Sequence, residues 1–286
     1  MKRPVIVLGT FDGVHKGHKK IFDRAVSFAR RNKLPCYAVT FKPHPQQFII
    51  PERGLKLLTT LQERVERIKR LGVDDVKIIH FDKGLQNLSY QEFVEKFIVK
   101  KFRAGHVFVG YDFAFGWGRL GHASQLKELG QDYGFEVIIV PAFKIEGEIV
   151  KSKRLRELIG AGDLNKVVRM MGHPYQISGK VVRGKGVGRK LGFPTANLKI
   201  DPHKLIPAHG VYAGRCNGKK CAINIGTRPT FGGIPTTLVE VHFPGAKLSL
   251  TGKNLKVEIL RRLRNEIQFT DTEELKKQIK KDLERI

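Results

Sequence analysis

The sequence predicts a two-domain protein: an α/β domain built on a parallel sheet, followed by an antiparallel β domain that ends in a helix. Three observations carry this. At 286 residues the chain exceeds one average domain and falls short of three. Through its first half, apolar runs of strand length alternate with amphipathic segments of helix length, the pattern of a parallel sheet covered on both faces. Beyond Gly172-His173-Pro174 strand patterns succeed one another without long helices, which fits an antiparallel barrel or a sandwich. The boundary is placed between residues 171 and 172, giving domains 1–171 and 172–286.

In the first domain, strands are expected over residues 5–8, 36–41, 76–81, 106–109 and 137–140, and helices over 16–32, 60–71, 90–102 and 124–133. A further helix over 154–159 and a short helical stretch reaching Met171 precede the stop at Gly172-His173-Pro174. In the second domain the expected strands are 175–183, 210–216, 221–225, 237–243 and 255–260. The last helix opens on Thr270-Asp271-Thr272-Glu273, a capping-box spacing, and carries Leu275, Ile279, Leu283 and Ile286 as a packing stripe.

Composition narrows the class. Apolar residues are 41% and aromatics 9% of the chain, ordinary for folded domains and far from disorder. No apolar run approaches the roughly 20 residues of a membrane span, and Gly9 and Asp12 interrupt any signal-peptide core near the start. A cytoplasmic protein with no membrane partner is therefore expected. Cys36, Cys216 and Cys221 lack zinc-site spacing, and the last two flank Asn217-Gly218, a hairpin-turn pair. The formal charge of +26 attracts anions, and nucleic acid, acidic lipid and nucleotide triphosphates all fit. Lys and Arg are spread along the chain without a basic tail or an aromatic RNA-binding signature, so no specific nucleic acid is expected.

The sharpest local signal is Gly9-Thr10-Phe11-Asp12-Gly13-Val14-His15-Lys16-Gly17-His18, between the first strand and the first helix. Ligands of open α/β sheets bind at the carboxyl ends of strands, where a helix start offers free N–H groups to a phosphate. Gly9 and Gly13 allow close backbone approach. His15 and His18, three apart, are expected to aim both imidazoles from one helix face at a single phosphate. Phosphoryl and nucleotidyl transfer need mainly positioning and charge stabilisation, which such donors supply.

This segment resembles the signature of the HxGH nucleotidyltransferase superfamily, and specifically its FAD-synthetase branch. The resemblance implies nucleotide contacts from Gly9, Thr10, Phe11, Asp12 and Gly13 and a catalytic role for His15 and His18. Thr40-Phe41-Lys42-Pro43-His44-Pro45 resembles the branch's segment near the flavin pocket, implying flavin contacts from Pro43, His44 and Pro45. Gly110-Tyr111-Asp112-Phe113-Ala114-Phe115-Gly116 resembles its next motif, implying substrate contacts from Asp112 and Phe113, although an aromatic pair such as Phe113 and Phe115 is by itself more often core. Where the family carries a Ser-Ser-Thr-x-Ile-Arg-like segment, this chain has Lys151-Ser152-Lys153-Arg154-Leu155-Arg156. Ser152 and Arg156 match as nucleotide contacts; Lys151 and Lys153 replace small hydroxyl residues, adding charge for a triphosphate or crowding the helix start that binds it.

The second constellation is Gly184-Lys185-Gly186-Val187-Gly188-Arg189-Lys190-Leu191-Gly192-Phe193-Pro194-Thr195-Ala196-Asn197. Its glycines make the loop adaptable and its cations attract phosphate. Gly-Phe-Pro-Thr-Ala-Asn resembles the riboflavin kinase signature, implying nucleotide contacts from Gly184, Lys185, Gly192, Thr195 and Asn197, with Thr195 and Asn197 also holding magnesium, for which oxygen ligands are suited. Asn224-Ile225-Gly226-Thr227-Arg228-Pro229-Thr230 resembles the next kinase motif and implies a substrate contact from Arg228. Val239-Glu240-Val241-His242 resembles the strand with the catalytic carboxylate. Alternation sets Glu240 and His242 opposite Val239, Val241 and Phe243, so Glu240 is expected to act as general base. Leu250-Thr251-Gly252 stands where the family has a Tyr-Gly pair.

Together these motifs resemble the bifunctional riboflavin kinase/FAD synthetase family. The resemblance implies a Rossmann-like α/β nucleotidyltransferase domain followed by an antiparallel six-stranded β-barrel with a C-terminal helix. It also implies ATP, riboflavin, FMN and FAD as substrates and products, and Mg2+ as cofactor. The alternatives are a riboflavin kinase with a degenerate adenylylation site and, more remotely, a basic nucleic-acid-binding protein.

Overall fold

Strand β1 (Val5–Leu8) is buried on both faces, each side chain at most 1% exposed, as a central strand of a covered parallel sheet must be. It pairs in parallel with β2 (Cys36–Lys42) on one side and β4 (His106–Gly110) on the other. With β3 (Asp75–His80) and β7 (Glu136–Val140) the order is β3-β2-β1-β4-β7. The alternation of β1 feeds two cores. Val5 and Val7 pack with Phe22 and Ala25 of helix α1 (Lys16–Arg31), and Ile6 and Leu8 pack with Phe93 and Leu126 across the sheet. The strand order reverses about β1, which opens a crevice at the carboxyl ends of β1 and β4.

The computed structural model describes residues 2–184, 186–228, 236–245 and 250–286. Of the expected site residues, Lys185 lies outside these, as does the side chain of Arg228.

Short helices α2 (Pro45–Ile49), α3 (Leu61–Lys69) and α4 (Lys83–Gln86) follow β2 and β3. Thr60 and Glu63 cap α3 reciprocally. The single helix expected over 90–102 is instead α5 (Tyr90–Phe93) continuing into a π-helix over Val94–Lys101, where the Phe102 N–H reaches back five residues to the Phe97 carbonyl. Helix α6 (Ala123–Tyr133) leads to β7, and two small ladders pair β5 (Ala114–Phe115) with β6 (Gly121–His122) and β8 (Lys144–Ile145) with β9 (Glu148–Ile149).

The chain divides into compact units at 1–152 and 153–286, earlier than the 171/172 boundary expected from sequence. The reason is local. Helix α8 (Leu164–Met171), which follows α7 (Ser152–Ala161), buries Leu164, Val167, Met170 and Met171 and lies against β10 (Tyr175–Val182) and β15 (Asn254–Arg264). The second unit is a closed barrel in the order β10-β11-β14-β13-β12-β15, which settles barrel against sandwich. Its sixth strand, β11 (Thr195–Ile200), is one that the hydrophobic pattern did not flag. Helix α9 (Val187–Lys190) lies between β10 and β11. Strands β12 (Gly210–Cys216) and β13 (Lys219–Arg228) meet at Asn217-Gly218, whose φ values of 49° and 77° make the expected two-residue hairpin turn; β14 (Thr236–His242) follows. Burial pushes the Cys36 and Cys221 thiols up to about 12, so neither forms a thiolate at neutral pH.

Helix α10 (Thr272–Glu284) starts one residue later than the capping-box reading implies. Asp271, rather than Thr270, caps it, its carboxylate accepting from the Glu273 and Glu274 N–H groups. The apolar stripe is half-buried, and Ile286 packs on Val211, Ala213 and Leu263. The firmest tie is ionic: Arg264 grips Asp282 at 2.9 Å, with the two side chains 15% and 3% exposed. Asp282→Ala would strand that guanidinium without its counter-charge, an expected loss of about 3–5 kcal/mol. Thermal unfolding of the full chain checks this, and a loss below about 1 kcal/mol would show that the pair does not anchor the helix.

Candidate functional site

The turn from β1 to α1 is wound tightly. Phe11 and Val14 adopt φ of 51° and 44° and Gly13 of 87°; for a β-branched residue such as Val14 this is a strained conformation, costing about 1–3 kcal/mol. What holds it is Asp12. Its carboxylate, 1% exposed, accepts from the Leu58 and Thr59 N–H groups at 3.0 Å each and from the Thr59 hydroxyl at 3.1 Å. The Thr59 hydroxyl accepts in turn from the Gly13 N–H. Bonds to a charged acceptor contribute about 1.5–3 kcal/mol each, so three of them outweigh the strain.

Two more side chains clamp the preceding residue. The Thr10 carbonyl accepts from the Arg64 guanidinium at 2.7 Å and the Thr40 hydroxyl at 3.0 Å. Arg64 is 2% exposed. Burial pulls its pKa down, and the charge of Asp12 opposes this. Ser152 adds a tie from the start of α7, its hydroxyl donating to the Asp12 carbonyl at 2.9 Å.

The glycines serve this packing rather than leaving open space. A Cβ on Gly9 would meet the Phe11 ring at 2.8 Å, one on Gly13 would meet Leu58 at 2.7 Å, and one on Gly17 would meet the His15 ring at 3.1 Å. Phe11 itself is core, 2% exposed. Gly9 and Gly13 thus have a reason within the fold beside the expected approach of a phosphate, and the Asp12 carboxylate faces its own chain.

His15 caps α1, its Nδ1 accepting from the His18 N–H at 3.3 Å, which leaves Nε2 to carry the proton of the neutral ring. The His18 ring stacks on it with centroids 3.6 Å apart and planes at 17°, and the Phe11 ring meets His18 edge-on. Two imidazolium rings could not share that stack. Burial, then the charges of His15 and Arg64, hold His18 well below its ordinary pKa of 6.5. Its Nδ1 is buried with no hydrogen-bond partner among the described residues, a state that calls for an added partner. The two rings thus act as one stacked unit, His15 being 4% exposed, rather than as two independent donors.

Elsewhere in this unit His44 is buried and caps α2 by accepting from the Gln46 N–H, between Pro43, which follows a cis peptide bond, and Pro45 at the first helical position. Phe115 is core and Phe113 stacks on it at 5.2 Å, half-buried. Asp112 is 56% exposed and faces the Lys151 ammonium at 3.6 Å. Arg156 lies on α7 in the second unit and is half-buried.

In the barrel, the antiparallel register sets Asn197 of β11 opposite Glu240 of β14, and Thr195 opposite His242. Thr195 and Asn197, two apart, share a face. The Thr195 hydroxyl donates to Glu240 Oε1 at 3.2 Å, and Asn224 of β13 lies opposite Glu240 on its other side. Gly184 is pressed on Asn197, where a Cβ would fall 2.3 Å from the amide nitrogen. Gly192 has φ of 88° in the turn after α9. A cavity of about 290 Å³ opens beside them, lined by Arg183, Gly184, Arg189, Thr195 and Asn197 among others. The Thr195 hydroxyl and the Asn197 amide oxygen are ligands of the kind that suit a magnesium ion keeping waters and substrate phosphates as its other ligands.

Sequence reasoning gave no role to Thr40, Thr59, Arg64 or His242. Arg64 carried a signal: it falls on the same helical stripe as Ile68 and Leu71. His242 is buried and bonds the Pro194 carbonyl through Nδ1 at 2.8 Å, fixing the loop before Thr195.

Residues 1–154 match the family model for FAD synthetase and residues 171–286 that for riboflavin kinase. Curated proteins described as bifunctional riboflavin kinase/FMN adenylyltransferase are similar along their length. The one from Escherichia coli (strain K12) is 35% identical, covering 97% of this chain and 90% of that protein. The one from Haemophilus influenzae is 31% identical, covering 98% and 92%. A crystal structure described as that of a macrolide-efflux protein from Streptococcus pneumoniae superposes with a TM-score of 0.89 at 31% identity, covering 99% of this chain and 93% of that one. Among the described residues no helix is long and apolar enough to cross a membrane. With both family models matched in chain order and similarity sustained from end to end, the chain belongs to the bifunctional riboflavin kinase/FMN adenylyltransferase family.

Proposed function

We propose that the chain phosphorylates riboflavin to FMN in its barrel and adenylylates FMN to FAD at the β1–α1 turn, in the cytoplasm. The observation that carries this is that each family match falls on a unit holding a built site. The FAD synthetase match leaves the kinase-only alternative without support, and the nucleic-acid reading has only the net charge behind it.

In the kinase reaction a ribityl hydroxyl attacks the γ-phosphorus of ATP, the bond to the β-phosphate oxygen breaks, and ADP leaves. Glu240 takes the hydroxyl proton. Thr195 holds that carboxylate by donating to Oε1, and the position of Glu240 opposite Asn197 keeps the nucleotide-facing groups beside the base. Thr195 and Asn197 would hold magnesium, which when bound neutralises phosphate charge. Gly184, Gly192, Lys185 and Arg228 are assigned to ATP and substrate from the motifs alone.

In the second reaction a phosphate oxygen of FMN attacks the α-phosphorus of ATP and pyrophosphate leaves, so no protein nucleophile is needed. The amides of the turn and the stacked His15–His18 pair donate to the developing charge. A neutral His18 suits that role, since its ring still offers one N–H. Ser152 and Arg156 are assigned to the nucleotide, and Pro43, His44, Pro45, Asp112 and Phe113 to the flavin.

A product time course from riboflavin, ATP and magnesium tests the whole assignment: FMN appears first and FAD follows, and absence of FMN would overturn the kinase half. Glu240→Gln lowers FMN formation by about 10²–10⁴-fold while supplied FMN still becomes FAD. His18→Asn does the reverse, lowering FAD formation by about 10²–10³-fold and sparing FMN. Loss of both activities in either variant would contradict two separate sites.

The same ring sets a stability trend with pH. Unfolded His18 titrates near 6.5 and folded His18 well below it, so the unfolded chain binds more protons as pH falls below about 6.5. Stability present at neutral pH is lost through that window down to the folded pKa. The fall in Tm between pH 7.5 and 5 should be larger in the parent protein than in His18→Asn; equal falls would contradict the depressed pKa.

A further inference from the structure

Lys151 stands between two residues that touch the β1–α1 turn. On one side the Val150 carbonyl approaches Gly17, where a Cβ would sit 3.2 Å from it. On the other the Ser152 hydroxyl donates to the Asp12 carbonyl. The backbone of Lys151 is thereby fixed at the phosphate turn, while its ammonium extends to Asp112 Oδ2 at 3.6 Å and lies 5.3 Å from the Tyr111 ring centroid. Those partners follow β4, the strand that borders the crevice across from the turn. One flexible cation therefore joins the turn assigned to the nucleotide to the loop assigned to the flavin.

The clasp is suited to exchange. Its two side chains are 47% and 56% exposed, and an exposed ion pair of this kind contributes at most about 1 kcal/mol. A phosphate oxygen offers the ammonium a stronger, charge-assisted partner. The hydrogen bond with Tyr111 raises the Lys151 pKa above its ordinary 10.5, with Asp112 adding to the effect, so the cation is present throughout the neutral range. The transfer brings two polyanions together, and a cation at the seam reduces their repulsion.

We propose that Lys151 is a substrate-phosphate-binding residue of the adenylylation site, which exchanges Asp112 for a phosphate oxygen when substrate enters. The residue thus supplies charge where the family pattern has a small hydroxyl residue. This rests on the assignment of FMN adenylylation to the first unit. The phosphate belongs either to the ATP tail or to FMN, and the two are separable.

The test is steady-state FAD formation from FMN and ATP by the full chain, comparing the parent with Lys151→Met and Lys151→Arg and varying each substrate in turn. In Lys151→Met, the KM of one substrate rises about tenfold; a rise for ATP identifies the nucleotide tail, and a rise for FMN the flavin phosphate. Lys151→Arg restores most of the loss, high salt narrows the difference, and the rate of riboflavin phosphorylation is unchanged, which reports an intact fold. Both KM values within twofold of the parent, or a fall in kcat alone that arginine does not rescue, would overturn the proposal. A parent protein that makes no FAD would instead remove the adenylylation assignment beneath it.

Discussion

The carboxylate of Asp12 accepts three hydrogen bonds from Leu58 and Thr59, residues more than forty positions away, and in doing so pins the β1–α1 turn to the segment that leads into α3. Everything at the first site follows from that anchorage. With Asp12 turned inward, Gly13 and Val14 can keep their left-handed backbone, His15 arrives at the helix start as its cap, and His18 falls under it one turn later. Arg64, brought in by α3, fixes the Thr10 carbonyl and adds a positive charge that disfavours protonation of His18. Pre-organisation of this kind is what an adenylyl transfer asks of its protein, because the chemistry depends on placing charge and excluding alternatives more than on covalent help.

The barrel solves a similar problem by register. A carboxylate on β14 is set beside a threonine and an asparagine on β11 because the two strands pair antiparallel with Asn197 opposite Glu240. A slip of one residue would turn Glu240 away from Thr195 and Asn197. His242 and Gly184 secure the edges, the first through the Pro194 carbonyl and the second by leaving room for the Asn197 amide. Both units therefore rely on packing against their own backbone to present a few polar groups, and Gly9, Gly13 and Gly184 are each required by neighbours within the fold.

How much of this was legible depended on the range of the interaction. Strand β1 and helix α1 are plain in the sequence, because an unbroken apolar run followed by Gly9 and a 3.6-residue stripe are local patterns. The Asn217-Gly218 hairpin is plain for the same reason. Strand β11 is not: Thr-Ala-Asn-Leu-Lys-Ile places polar Thr195 and Asn197 on the site face and a small alanine inside, so its alternation resembles a polar loop. The anchoring role of Asp12 is not legible, because nothing near it in the sequence reveals Leu58 and Thr59 as its partners. The role of Asp282 is hidden in the same way, since the arginine that buries it comes from β15. The boundary at 171/172 followed the change of pattern, whereas compactness follows the packing of α8.

The central claim is that the turn between β1 and α1 is built in advance to receive a nucleotide's phosphates. It is tested most directly by a crystal structure of the full chain with a non-hydrolysable ATP analogue. Phosphate oxygens are expected within hydrogen-bond distance of the turn amides and of the His18 ring, with the backbone of residues 9–18 displaced by less than about 1 Å from its arrangement here. An analogue bound with its phosphates away from both histidines, or a turn that releases Asp12 from Leu58 and Thr59 to admit it, would contradict that claim.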